Sequence, residues 1–133
     1  MKVGVISFPD NDCGKNLNRV FKKVLNIDSD IIWHTTNKIK GYNAVFVNGG
    51  NEWLNYTKGE EAVSPVIEAL FDYAERGGFV FGFGDGFRLL CKMKLLLGNF
   101  VENKEKRSIS KNVYVRVDNS ESALTALIDK NNS

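Results

Sequence analysis

The residues best placed to do chemistry lie in a glycine-rich run, Gly82-Phe83-Gly84-Asp85-Gly86. The aromatic segment before it favours a buried strand, and Phe87, Leu90 and Cys91 after it recur at intervals of three and four, as one face of a helix does. A sharp strand-to-helix turn with glycines flanking a central residue is how a nucleophile is mounted at the carboxyl edge of a parallel sheet. Here the central residue is Gly84, so the sequence predicts the elbow without its nucleophile.

The elements that would position this turn follow a β-α-β rhythm. Short apolar runs predict parallel strands at Lys2–Ser7, Asp30–His34 and Ala44–Val47 and a further one around Val80. Apolar residues at helical spacing predict two helices between them. The residues expected on their buried faces are Leu17, Val20, Phe21, Val24 and Leu25, then Val66, Ile67, Leu70, Phe71 and Ala74. The pattern predicts a three-layer α/β sandwich with a mainly parallel sheet.

The segments outside this rhythm are predicted to be less regular or antiparallel. Asn51–Ser64 reads as a long loop, with one helical turn near Lys58–Glu61. The charged run Glu102–Arg107 separates two β-like segments, and Asn112–Asp118 alternates as a half-exposed strand does. We therefore expect short antiparallel strands near the C-terminus and a last short helix at Ala123–Ile128.

Composition narrows the class of protein. A chain of 133 residues, 43% hydrophobic and 26% charged, is predicted to form a single domain over residues 1–133. A net charge of +2 is too small to predict nucleic acid or a membrane surface as a partner. Two distant cysteines, no apolar run of ~20 residues and no signal-peptide pattern lead us to expect a cytoplasmic protein.

The elbow and its surroundings resemble the Gly-x-Cys-x-Gly-Phe-Gln region of class I glutamine amidotransferases. In particular, the region resembles the glutaminase subunit of phosphoribosylformylglycinamidine synthase, an enzyme of purine biosynthesis. Matches outside the elbow occur in the same order along nearly the whole chain: Phe8-Pro9, Asn11 and Cys13, Trp33-His34, Gly41–Val45, Gly49-Gly50, Tyr56, Ser64-Pro65, Gly77-Gly78, Leu95–Gly98 and Val115–Asn119. The resemblance implies a flavodoxin-like strand order.

The departures from the family decide the functional expectation. The family's cysteine, which attacks the glutamine amide, is replaced by Gly84, and Arg88 stands where the family has glutamine. The histidine and glutamate that activate the cysteine lie, in the family, after the point where this sequence stops. Gly50 and Asp85 match the positions whose backbone N–H groups form the oxyanion hole. We therefore expect a pseudoenzyme without catalytic residues, whose vestigial elbow lies at Gly82, Gly84, Asp85 and Gly86. We do not expect it to bind glutamine.

Cys13 and His34 are the residues of an alternative predicted catalytic site. These residues follow the first and second predicted strands, which are neighbours in a flavodoxin-like sheet, so a cysteine–histidine pair at one sheet edge is conceivable. No third group is evident to orient the histidine, and such residues more often pack or cap. A diverged active amidotransferase subunit or a hydrolase that uses this pair is thus the alternative to a domain acting by binding.

No metal or cofactor is predicted. Asp10, Asp12 and Asp85 are candidates to gather at one edge as oxygen ligands, but loop aspartates usually cap turns. The glycine spacing fails the dinucleotide fingerprint, because Phe87 stands where the third glycine is needed. The expected partners are a synthetase subunit, which the resemblance implies, or a second copy of the chain, since an exposed strand edge invites pairing. Trp33, Trp53 and Tyr56 are candidate aromatic anchors for such an interface.

Overall fold

The structure, a computed structural model, describes residues 1–9, 12–49, 64–98, 101, 103–118, 121–122 and 125–126. Contacts between residues divide the chain into two compact units, Met1–Phe100 and Val101–Ser133. The first unit carries every strand and helix given below. That residues 1–133 form a single domain stays a prediction.

The first unit is built on a four-stranded parallel sheet. Its strands are β1 (Lys2–Ser7), β2 (Asp28–Trp33), β3 (Ala44–Gly49) and β4 (Phe79–Gly84), in the spatial order β2-β1-β3-β4. The central strand β1 is almost wholly buried, as its continuous apolar sequence predicts. This order is that of a flavodoxin-like sheet and confirms the predicted fold class.

In the described part of the chain, three helices cover the two faces of the sheet: α1 (Cys13–Lys23), α2 (Pro65–Glu75) and α3 (Asp85–Lys92). Val3 and Val5 of β1 pack with Phe21 of α1 on one face. Ile6, on the opposite face of the same strand, belongs to the larger core that includes Leu70 of α2 and Leu89 of α3. The α2 helix begins as predicted, with Ser64 at the N-cap and Pro65 in the first turn, where proline's missing N–H is not needed.

The buried faces of the helices are narrower than the sequence predicts. Phe21 is buried, but Val20, Val24 and Leu25 are exposed, and α1 ends at Lys23. Phe71, assigned to the buried face of α2, is also exposed, as is Phe87, which the spacing placed on one face of α3 with Leu90 and Cys91. Apolar spacing marks the side of a helix that faces the sheet but does not give the width of the contact, and residues at its margin remain in water.

The predicted antiparallel strands near the C-terminus are not found in the described part of the second unit, Val101–Ser133, since residues 103–118 contain no strand. Val113, Tyr114 and Val115 are largely exposed. An alternating pattern supports a strand only where a partner strand and an apolar surface cover one face, and the described residues give these side chains no such cover. The predicted loop Asn51–Ser64 lies outside the described residues except for Ser64, and the last helix is described only at residues 125–126.

None of the described helices has the length and apolar character needed to cross a lipid bilayer.

Candidate functional site

The predicted elbow is a sharp turn between the last described strand and the last described helix. Strand β4 ends at Gly84 and α3 begins at Asp85. Gly84 has φ 58° and ψ −131°, a backbone conformation that residues with a Cβ atom rarely adopt. The chain therefore has the strained strand-to-helix turn on which nucleophiles are mounted, with a residue at its apex that has no side chain.

The two flanking glycines permit close approach of the backbone. A Cβ atom on Gly86 would lie 2.0 Å from the carbonyl oxygen of Val47, in the neighbouring strand β3. A Cβ atom on Gly82 would lie 2.6 Å from Leu90 Cδ1 and 2.9 Å from the carbonyl carbon and oxygen of Gly86. The first turn of α3 thus rests directly on the sheet, and neither position has room for a side chain.

The oxyanion-hole prediction concerns Gly50 and Asp85. Strand register pairs Gly49 with Gly84, so β3 and β4 end at the same level. Asp85 is the first residue of α3, where backbone N–H groups have no partner within the helix. Gly50 lies outside the described residues, so the paired donors stay a prediction.

A carboxylate and a guanidinium form an ion pair beside the elbow. Arg88 Nη1 donates a hydrogen bond to Asp85 Oδ1 at 2.8 Å. We did not predict this pair, although residues three apart are neighbours on a helix surface and the spacing of Asp85 and Arg88 is a sequence signal for it. Asp85 at the helix N-terminus is also favoured by the helix dipole. Arg88, at the position where the resemblance leads one to expect glutamine, therefore places a charged pair next to the turn.

Cys13 and His34 both follow the carboxyl ends of strands at the same edge of the sheet. Cys13 opens α1, which follows β1, and His34 follows β2, the parallel neighbour of β1. Asn48 Nδ2, at the end of β3, donates a hydrogen bond to the Cys13 carbonyl oxygen at 3.4 Å. The His34 ring lies against Trp33, with 5.2 Å between ring centroids, and its carbonyl oxygen accepts hydrogen bonds from the Ser64 hydroxyl and the Val66 N–H. A catalytic pairing of the two side chains stays a prediction.

Ser7, at the carboxyl end of β1, is a buried polar residue that we did not predict as part of a site. Its Oγ has no hydrogen-bond partner among the described residues. A Cβ atom on Gly14 would lie 2.9 Å from this oxygen, so Ser7 sits against the first turn of α1. Nothing in the local sequence distinguishes Ser7 from a residue capping a loop.

The aspartates considered as metal ligands are placed only in part. Asp12 Oδ1 accepts a hydrogen bond from Lys15 Nζ at 2.9 Å, and Asp85 is paired with Arg88. Asp10 lies outside the described residues. Among the residues that the structure does describe, no three histidine, cysteine, aspartate or glutamate side chains gather as a metal site.

A parallel sheet in flavodoxin-like order, with a glycine-flanked elbow after its fourth strand, is consistent with the fold of the class I glutamine amidotransferases. A solved structure with this fold is PurLQS from Thermotoga maritima, which matches with a TM-score of 0.65 and 21% sequence identity over 78% of this chain and 49% of that one. No protein-family model matches the chain.

Sequence similarity shows more specifically that the chain is homologous to PurQ, a subunit of phosphoribosylformylglycinamidine synthase. It is 31% identical to PurQ of Leptospira interrogans over 97% of this chain and 60% of the relative. It is 31% identical to PurQ of Koribacter versatilis and 30% identical to that of Aquifex aeolicus, over 98% of this chain and 57% and 58% of the relatives. The chain thus spans about 60% of the length of the curated relatives that it matches.

Proposed function

We propose that this chain is a PurQ-like domain that acts by binding and does not release ammonia from glutamine. The observation that carries the proposal is Gly84 at the apex of the elbow. A covalent intermediate on a cysteine needs a thiolate at that apex, and glycine offers no atom to form the bond. The turn and its two crowded glycines are nevertheless present, as expected of a scaffold that keeps its shape without the chemistry.

Homology to PurQ supports a role related to purine biosynthesis, in the place of the glutaminase subunit of phosphoribosylformylglycinamidine synthase. We propose a synthetase subunit as the partner. Trp33 at the end of β2 and Phe87 in the first turn of α3 belong to the carboxyl edge, and their exposed fractions are 39% and 42%. Exposed aromatic rings are the anchors that protein interfaces favour.

The alternative is an active enzyme that uses Cys13 and His34. It is supported by topology alone: β1 and β2 are parallel neighbours, with Ser7 in register with Trp33, so the segments that follow them leave the sheet together. A cysteine needs a base within hydrogen-bond reach and a group that orients this base. The binding proposal requires neither the base nor the group that orients it.

Ammonia release separates the two proposals. The purified protein is incubated with glutamine, alone and with a cognate synthetase subunit, beside the Gly84→Cys and Cys13→Ser variants. We expect no release by the unmodified chain, because glycine at the apex offers no thiol to attack the amide. Gly84→Cys shows whether a thiol at the apex alone restores the reaction. Release by the unmodified protein that is lost in Cys13→Ser would overturn the binding proposal in favour of the alternative.

A binding role is tested by sedimentation velocity with the synthetase subunit. We expect a complex that is weakened by Trp33→Ala or Phe87→Ala and unchanged by Phe71→Ala. Phe71 is a matched control, because its ring is 37% exposed but lies on α2, outside the carboxyl edge. A dimer of the chain alone, with no complex, would replace the synthetase with self-association. Calorimetric titration with glutamine is expected to show no binding.

A further inference from the structure

A cavity of about 540 Å³ lies at the amino-terminal edge of the sheet, the edge opposite the elbow. It is formed where α2 ends and where β3 and β4 begin. The side chains in its wall that could contact a ligand are Lys40, Tyr42, Tyr73, Arg76 and Phe79. The depression is shallow and open to solvent, and its volume is enough to accommodate a small molecule. Neither the elbow nor the Cys13 and His34 segments contribute to it.

The cavity carries positive charge. Lys40 and Arg76 line it, and Lys38 joins Lys40 in the wall of an adjoining cavity of about 240 Å³. Lys38 lowers the pKa of the Lys40 ammonium, and Arg76 lowers this pKa further, as expected of like charges held near one another. In the described part of the chain none of these three cations forms an ion pair. Within these residues no carboxylate therefore lies within ion-pair distance of the three cations.

Arg76 is held in place with donors to spare. Its Nε donates a hydrogen bond to the Asp72 carbonyl oxygen at 3.0 Å, one turn back in α2. A guanidinium has five N–H donors in a fixed fork, so those on its terminal nitrogens remain for a ligand. The Asp72 and Glu75 side chains line a separate cavity of about 400 Å³ with Arg76 and mark where the positive region ends.

The wall also contains three aromatic residues, Tyr42, Tyr73 and Phe79. Tyr73 is buried and donates its hydroxyl hydrogen bond to the Tyr42 carbonyl oxygen at 3.1 Å, which ties the end of α2 to the segment before β3. Gly78 lets the chain pass close to this ring, since a Cβ atom there would lie 2.3 Å from Tyr73 Cε1. Phe79, the first residue of β4, is partly exposed beside them. Phe79 and the partly exposed Tyr42 offer a surface for a flat apolar group.

We propose that this cavity binds a small organic anion. A phosphate or carboxylate group lies against Lys40 and Arg76, and a flat apolar body lies against Tyr42 and Phe79. An anion gains from both cations without displacing a carboxylate from either. The site is independent of the proposed function at the elbow, because it lies at the other edge of the sheet.

Binding is tested with phenyl phosphate and with benzoate, which distinguish the two anionic groups, and with inorganic phosphate, which lacks the ring. Backbone amide resonances of the full chain are followed during each titration. We expect saturable shifts confined to residues 39–43 and 73–79, from at least one ring-bearing anion, with inorganic phosphate weaker. Shifts scattered over all exposed lysines, or none with either ring-bearing anion, would overturn the proposal.

The variant Lys40→Gln carries the decisive comparison. Lys40 is exposed and has no ion pair among the described residues, so its replacement leaves the fold intact. We expect Lys40→Gln to raise the dissociation constant by about tenfold, the effect of one hydrogen bond to a charged group. Lys23→Gln, which removes the same charge from α1 on the other face of the sheet, should leave it unchanged. Equal weakening by both variants would mean that only net charge matters and would contradict the site.

Discussion

Gly49 and Gly84 are register partners at the ends of the parallel strands β3 and β4. Their alignment brings the chain leaving β3 and the first turn of α3 to the same level of the sheet. This relationship is why residues after Gly49 and the N–H of Asp85 are candidates for one oxyanion hole. It depends on backbone register alone and therefore persists whatever residue stands at the apex.

The apex should tolerate a side chain only with strain. Gly84→Ala should lower the free energy of unfolding by about 1–3 kcal/mol, because a Cβ atom is disfavoured at φ 58° and ψ −131°. Gly41→Ala is the control, because Gly41 has φ 78° and no described atom within 4 Å of its missing Cβ. This variant should lower the free energy of unfolding by about 1–2 kcal/mol. Urea unfolding measures both. A Gly84→Ala variant as stable as the unmodified chain would show that the turn is not strained.

Gly86 should not tolerate any side chain. Gly86→Ala would place Cβ 2.0 Å from the Val47 carbonyl oxygen, and backbone in the middle of a sheet cannot move aside. Alanine is favoured over glycine within helices by about 1 kcal/mol, so propensity alone predicts stabilisation. We expect instead a loss of about 1–3 kcal/mol or more, or failure to fold, by circular dichroism and urea unfolding. Unchanged stability would refute the close contact between α3 and β3.

Two adjacent residues of α2 test the packing of the larger core. Leu70 is fully buried, and Leu70→Ala should lower the free energy of unfolding by about 2–5 kcal/mol. Phe71, which the sequence pattern assigned to the same buried face, is 37% exposed. Phe71→Ala should therefore be clearly less destabilising than Leu70→Ala when both are unfolded by urea. The reverse order would mean that α2 is rotated relative to the sheet.

The Lys2–Asp30 ion pair should make stability depend on pH in the acidic range. The hydrogen bond from Lys2, at 2.6 Å, lowers the pKa of the Asp30 carboxyl below its usual value near 4. A carboxyl whose pKa is lower in the folded state stabilises the fold above the unfolded pKa, and this contribution is lost as pH falls through the folded pKa. Both side chains are substantially exposed, so the contribution is modest and falls with added salt.

Comparison of the unmodified chain with Asp30→Asn checks this pH dependence. Urea midpoints are measured between neutral pH and about pH 2, at low and high salt. The variant should lose less stability on acidification, and the difference should shrink at high salt. Parallel pH profiles at low salt would show that the pair does not contribute.

The sheet could be predicted from sequence because its signals are local and strong. The apolar run of β1 and the Ser64-Pro65 start of α2 each carry a physical signature in a few residues. Exposure of Val20 and Phe87 could not be predicted, because it depends on how far the partner surface extends under each helix. The alternation at residues 112–118 is misleading for a similar reason, since pairing depends on a distant partner strand.

The candidate site was predictable in outline only. Glycine spacing identified the elbow, and the flanking glycines are explained by contacts within 3 Å. The Asp85–Arg88 pair was readable from its spacing, whereas the cavity beside Lys40 and Arg76 was not. Those two residues are far apart in sequence and meet only through the tertiary fold.

The central position of β1 in the strand order has a consequence for synthesis on the ribosome. Its first neighbour, β2, begins at Asp28, and its other neighbour, β3, pairs Val47 with Ile6. Strand β1 therefore leaves the ribosome before either of its neighbours, and its two edges cannot both be covered until β3 has also left the exit tunnel. During this interval the exposed edge of β1 can pair with strands of other chains, so this topology favours early binding by a chaperone.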